Sequence, residues 1–151
     1  MLRDLVEKKH TLFLESADTW QEAVRLSCKP LEDDGTVDVT YADEIIKCVE
    51  QHGPYIVLIP GFAIPHSQQG SQGAHGTGIS FMKLEHTVVF DMCDPEKYAS
   101  VFFSIASVNP DVHLNNMRML FRMLTDDDLV IDLQKARRDA DLLHLAEKYH
   151  L

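Results

Sequence analysis

The stretch Gly53-Pro54-Tyr55-Ile56-Val57-Leu58-Ile59-Pro60-Gly61-Phe62-Ala63-Ile64-Pro65-His66-Ser67-Gln68-Gln69-Gly70 decides how this chain reads. Tyr55 to Pro60 is β-prone and apolar almost throughout, the pattern of an inner strand. A Pro60-Gly61 turn follows, and a second short apolar run, Phe62-Ala63-Ile64, stops at Pro65-His66. After His66 the chain turns polar and glycine-rich. Pro65 fixes its own φ near about −65° and pushes Ile64 toward extended geometry. The approach to His66 is therefore stiff, which serves a side chain that must meet a donor at one angle. A histidine after a strand is also a common surface or hydrogen-bonded structural residue, and composition alone does not separate the two.

Outward from this stretch, the chain has the size of one domain with a real core: 151 residues, 45% apolar and 25% charged. No apolar run approaches the ~20 residues that span a bilayer. The segment Met1-Leu2-Arg3-Asp4-Leu5-Val6-Glu7-Lys8-Lys9 lacks the apolar core of a signal peptide. Cys28, Cys48 and Cys93 are widely spaced with no CxxC pattern, so they read as small buried hydrophobes of a reducing cytoplasm. The net charge of −10 argues against nucleic acid as a partner, since its phosphates need Lys and Arg.

Upstream, Thr11 to Leu14 alternates weakly, as a short edge strand would. Thr19-Trp20-Gln21-Glu22 is a capping box that opens a helix. Its buried face is Trp20, Ala23, Val24, Ser27 and Leu31, and Pro30 ends or kinks it in its last turn. By the same logic Thr40-Tyr41-Ala42-Asp43 opens a second helix with a stripe of Tyr41, Ile45, Cys48 and Val49, stopped at Gly53-Pro54. Downstream, Ser67 to Gly78 is a flexible loop. Gly78 to Leu84 and His86 to Phe90 are either a pair around a turn or one interrupted strand. A loop over Met92 to Lys97 and a strand over Val101 to Val108 follow. Asn109-Pro110 starts a helix whose predicted buried stripe is Leu114, Met117, Leu120, Phe121 and Leu124. Thr125 with Asp128 caps the next, which runs to about Ala136, and a last helix runs from about Asp139 to Tyr149.

Among the eight histidines, His10, His86, His144 and His150 sit in polar or terminal contexts and read as surface residues. His113 falls in the first turn after Asn109-Pro110, where free N–H groups draw anions, although a solvent-facing first-turn residue fits as well. The glycines from Gly70 to Gly78 make no P-loop, since no Lys-Ser or Lys-Thr follows. His66 and His75 with His113 could serve a metal, but no HExxH or carboxylate-rich pattern accompanies them. Ser67 adjoins His66 without the turn of a serine hydrolase.

Taken together, Ile64-Pro65-His66, the Thr19-Trp20-Gln21-Glu22-Ala23 helix start and the His113-Leu114 helix start resemble enzyme IIA of the bacterial phosphotransferase system, mannitol–fructose type. Val49-Glu50-Gln51-His52-Gly53-Pro54-Tyr55 and Pro60 to His66 are most similar to its ascorbate-specific branch. The resemblance spans the whole chain as one domain, 1–151. It implies an α/β fold with a central mixed sheet of about five strands flanked by helices; periodicity alone gives only strands flanked by helices. It implies that His66 accepts a phosphoryl group from the phosphohistidine carrier protein, HPr, and hands it to enzyme IIB, with the membrane IIC permease met only indirectly. His113 matches a second histidine that neighbours the acceptor. Neither metal nor cofactor is required. Mannitol-type relatives keep an arginine sixteen residues before the acceptor, where this chain has Glu50. His113, helix N–H groups or His52 are then the candidates to neutralise the phosphoryl oxygens. The sugar expected is L-ascorbate. Another function open to the same scaffold is a regulatory module that binds a transcription factor or transporter according to its phosphorylation state.

Overall fold

The computed structural model describes residues 1–67 and 71–151. The expected loop from Ser67 to Gly78 therefore falls in part outside the described residues. In chain order the described elements are α1 (Leu2–Glu7), β1 (Thr11–Leu14), α2 (Trp20–Asp33), α3 (Thr40–His52), β2 (Val57–Ile59), β3 (Gly61–Ala63), β4 (Gly78–Val89), β5 (Tyr98–Ala106), α4 (Pro110–Met123), α5 (Asp127–Lys135) and α6 (Asp139–Tyr149). The strands form one five-stranded sheet in the order β1-β4-β5-β3-β2. β1 runs parallel to β4 and β3 parallel to β5, while β4–β5 and β2–β3 are antiparallel, so the sheet is mixed as the resemblance implies.

Side-chain alternation divides the core into two layers. Along β5, Val101, Phe103 and Ile105 pack with Leu2, Leu120, Leu133 and Leu142 from α1, α4, α5 and α6. Phe102 and Ala106 pack on the other face with Val24, Leu31, Tyr41 and Ile45 from α2 and α3. Buried hydroxyls stitch that second face: Ser80 donates to the Ser27 carbonyl at 2.7 Å and Ser104 to the Ser27 hydroxyl at 2.8 Å.

Several expectations are corrected. The apolar run Tyr55 to Pro60 is not an inner strand; only Val57–Ile59 is extended, and it lies at the sheet edge. Pro54 and Tyr55 form turns instead, and Pro60 has no N–H for a neighbour to use. The inner position goes to β3, the shorter run. β4 is one strand of 12 residues whose register shifts between Lys83 and Val88. α1 was not expected at all; its six residues bury Leu2 and Leu5. The capping residue of α5 is Asp126, which accepts the Leu129 N–H, rather than Thr125, whose hydroxyl turns back to the Arg122 carbonyl. At the start of α3 the acceptor is likewise Asp38, bonded to the Thr40 N–H and hydroxyl. On α4, Leu120 is buried and Met117 partly so, but Leu114 and Phe121 are 48% and 46% exposed. His10, read as a surface residue, is buried with one ring nitrogen on the Ile79 carbonyl at 3.0 Å and the other on the Asp34 carboxylate at 2.5 Å. Burial works against the charge of Asp34, but hydrogen bonds from Thr36 and His10 outweigh it and hold the carboxyl below its usual range.

Candidate active site

Beyond β3 the backbone continues extended to His66 and is tied on both sides. The Ile64 N–H donates to the Ile56 carbonyl at 2.8 Å, and the Ile105 N–H donates to the Pro65 carbonyl at 2.9 Å. Pro65 cannot donate but can accept, so proline both stiffens the strand end and leaves it bonded. Tyr55, which precedes the edge strand, donates its hydroxyl to the His66 carbonyl at 2.7 Å. Its ring stands edge-on to the imidazole, 5.3 Å between centroids at 90°. Tyr41, buried on α3, donates to the Ile105 carbonyl at 2.6 Å and accepts the Ser67 N–H at 3.3 Å. Burial pushes the Tyr41 phenol up to about 12, so its hydroxyl stays a donor.

The His66 ring itself is oriented. Nδ1 lies 2.5 Å from the Ile64 carbonyl oxygen, which can only accept. Nδ1 must therefore carry the proton, and in the neutral ring Nε2 keeps its lone pair. Burial lowers the His66 pKa; the Ile64 hydrogen bond opposes that, and the nearby His113 adds to the lowering. Near pH 7 the ring is thus neutral and nucleophilic at Nε2.

α4 brings His113 to this ring, with centroids 5.9 Å apart and planes tilted by 46°. Burial lowers the His113 pKa as well. The helix start is ordered by Asn109, whose side-chain oxygen accepts the N–H groups of Asp111 at 2.9 Å and Val112 at 3.2 Å. The His113 N–H goes to the Asn109 carbonyl at 3.0 Å. With Pro110 lacking an N–H, the first-turn amides are already spent, and the free helix N–H groups expected from sequence are not there to meet a phosphate. The imidazole of His113 is the first-turn donor that remains. Glu50 and His52 are exposed on the last turn of α3.

His75, the third histidine of the metal alternative, pairs instead with the Asp38 carboxylate at 2.6 Å. Among the described residues there is no group of three or more His, Cys, Asp or Glu side chains that could hold a metal ion. Ser67 meets Tyr41 through its backbone. The residues that sequence reading missed are Tyr41 and Tyr55. Both carry aromatic rings in apolar patterns, and nothing in those patterns shows where the hydroxyl ends up.

The arrangement is that of a neutral, oriented imidazole with a second imidazole beside it, suited to nucleophilic group transfer. Residues 4–149 match the family model described as phosphoenolpyruvate-dependent sugar phosphotransferase system, EIIA 2. The chain is 31% identical over 149 residues to the ascorbate-specific PTS system EIIA component of Salmonella choleraesuis (strain SC-B67), covering 97% of this chain and 96% of the relative. Identity to the protein of the same name from Escherichia coli (strain K12) is 30%, with the same coverage. The solution structure of the mannitol-specific cryptic phosphotransferase enzyme IIA of Escherichia coli superposes with a TM-score of 0.83 at 27% identity, covering 97% of this chain and 98% of that one. The chain belongs to the EIIA 2 family of the phosphoenolpyruvate-dependent sugar phosphotransferase system and is a phosphotransferase.

Proposed function

We propose that this chain, acting as one domain over residues 1–151, is the cytoplasmic phosphocarrier for L-ascorbate uptake. It takes a phosphoryl group from the phosphohistidine carrier protein on Nε2 of His66 and passes it to enzyme IIB, through which it serves the membrane permease. The observation that carries the site is the Nδ1 contact with the Ile64 carbonyl at 2.5 Å, which leaves Nε2 as the nucleophile. The names of relatives at 30–31% identity support the sugar. Among the described residues no helix is long and apolar enough to cross a membrane, which fits a component that meets the permease only through IIB.

In the acceptance step the Nε2 lone pair attacks phosphorus in line while the N–P bond on the carrier's imidazole breaks, the electron pair returning to that ring. One N–P bond is lost and one gained, and the proton stays on Nδ1, hydrogen-bonded to the Ile64 carbonyl, throughout. Such a transfer has a loose transition state, so the protein's part is to position the ring and stabilise spread charge. The His113 imidazole, beside His66, donates a hydrogen bond to the phosphoryl oxygens in place of the arginine of mannitol-type relatives.

Incubation with phosphoenolpyruvate, enzyme I and the carrier protein, followed by intact mass, tests this. One phosphate should appear, stable in base and lost in acid, and none in His66→Ala. A His66→Ala protein that still accepts phosphate would sink the assignment. Onward transfer measured side by side with ascorbate-type and mannitol-type IIB tests the sugar, the former being the faster.

A further inference from the structure

Helix α3 holds the chain on both sides of the segment that follows His66. On the near side, the Tyr41 hydroxyl takes the Ser67 N–H. On the far side, one turn along the same helix, Glu44 takes the backbone where the described chain resumes. Its Oε1 accepts the N–H groups of Gln72 at 3.0 Å and Gly73 at 2.8 Å, and its Oε2 accepts the Ser71 hydroxyl. Successive backbone N–H groups form a concavity that binds anions, and here the protein's own carboxylate fills it with charge-assisted bonds.

A second observation shows how closely this backbone is seated. A Cβ on Gly73 would lie 2.7 Å from both the Cα and N of Tyr41 and 2.9 Å from the Thr40 hydroxyl, so only glycine permits the approach. Around it the Gly73 carbonyl accepts the Asp38 N–H at 2.9 Å, Val37 and Ala74 make an antiparallel bridge, and the Thr36 carbonyl accepts the His75 N–H at 2.8 Å. Residues 71–75 are thus seated on the start of α3, and Glu44 supplies the charged part of that seat.

We propose that Glu44 is a positioning residue for phosphoryl transfer: by anchoring Ser71, Gln72 and Gly73 against the Tyr41 backbone, it fixes the start of α3, whose Tyr41 hydroxyl holds the Ser67 N–H beside His66, and so keeps the imidazole at its attack angle. The inference rests on the reading of His66 as the acceptor. A group misplaced by about 1 Å costs up to about a hundredfold in rate, without any change in what the partner touches.

The test compares wild type, Glu44→Ala and Glu44→Gln as acceptors from the phosphorylated carrier protein, with backbone hydrogen exchange on each. Glu44→Ala should lose at least about tenfold in the rate at saturating carrier while its KM stays within about twofold. The Gln72 and Gly73 amides should lose protection while those of β4 and β5 keep it. Glu44→Gln, whose carbonyl still accepts those two amides, should recover part of the rate. Wild-type turnover in Glu44→Ala, or a rate loss accompanied by lost protection across β4 and β5, overturns the proposal. Should Glu44→Ala fail to fold, Glu44→Met, which keeps the side-chain length and loses both acceptors, takes its place, and wild-type turnover in it overturns the proposal. Wild type that takes up no phosphate overturns instead the reading of His66 beneath it.

Discussion

His66 and His113 face one another across 5.9 Å, yet the molecule holds them in different ways. The His66 segment is bonded on every side: to Ile56 just before β2, to β5 through Ile105, to Tyr55 at its carbonyl, and through its own ring to Ile64. His113 is held by its helix, and that helix keeps Val112, Leu114 and Phe121 in water on the neighbouring surface. In the proposed reaction His66 presents one lone pair along one line, and its bonds remove its freedom beforehand. The neighbour proposed to stabilise charge would follow the phosphoryl group as it arrives and departs, and a helix start with a half-buried imidazole leaves room for that. The contrast teaches that two residues of the same type, nearly in contact, need not share a role.

Replacing the less constrained histidine is the most severe way to probe this contrast. His113→Ala should keep its fold and lose about 2.7–4 kcal/mol of transition-state stabilisation, a hundredfold or more in rate, by analogy with loss of one preorganised donor. Quench-flow transfer in both directions, with thermal melts alongside, measures it; His113→Gln should retain more activity. A wild-type rate in His113→Ala would reduce that residue to an ordinary member of its helix.

pH sharpens the same division. Only the neutral His66 ring has a free lone pair, and burial lowers its pKa below the usual 6.5. Acceptance should therefore fall, by about tenfold per unit, only once pH drops below that lowered pKa. A pH–rate profile whose acid limb is centred at or above 6.5 would contradict the burial argument.

Smaller effects test the bonds themselves. Tyr55→Phe removes the hydroxyl from the His66 carbonyl and should cost about 0.5–1.5 kcal/mol, read as a several-fold loss of rate with the ring contact intact. An unchanged rate would mean that the ring packing and the two strand bonds suffice. Smallest of all, Leu114→Ala should shift stability by no more than about 0.5 kcal/mol in denaturant titration, being half exposed. Its neighbour on α4, Leu120→Ala, should cost about 2–5 kcal/mol. Equal costs for the two would show that Leu114 is more buried in solution than on this surface.

By itself the sequence determined the local events. Pro65 before His66, Asn109-Pro110 at a helix start, Gly53 after α3 and the Thr19–Glu22 pair all act within a few residues, so their physics can be read without knowing the partner. Thr19 accepts the Glu22 N–H at 3.1 Å, as expected, although Glu22 reaches back to the Asp18 N–H rather than to Thr19 itself. Periodicity likewise found most helices and most of β5, and left β4 open between one interrupted strand and a pair around a turn. What only the tertiary structure decided were the pairings across distance. An apolar run shows that a strand is buried somewhere, but not which edges it pairs. Thus Val57–Ile59 went to the rim and Gly61–Ala63 to the interior. A helical stripe shows amphipathicity, but not which part of it the rest of the fold covers, and α4 leaves Leu114 and Phe121 about half exposed. The hydroxyls of Tyr41 and Tyr55, the Glu44 clamp and the burial of His10 against Asp34 join residues 11 to 69 positions apart. Such contacts depend on the assembled sheet and the helices packed on it, since only that packing brings a donor and an acceptor so far separated in the chain within reach.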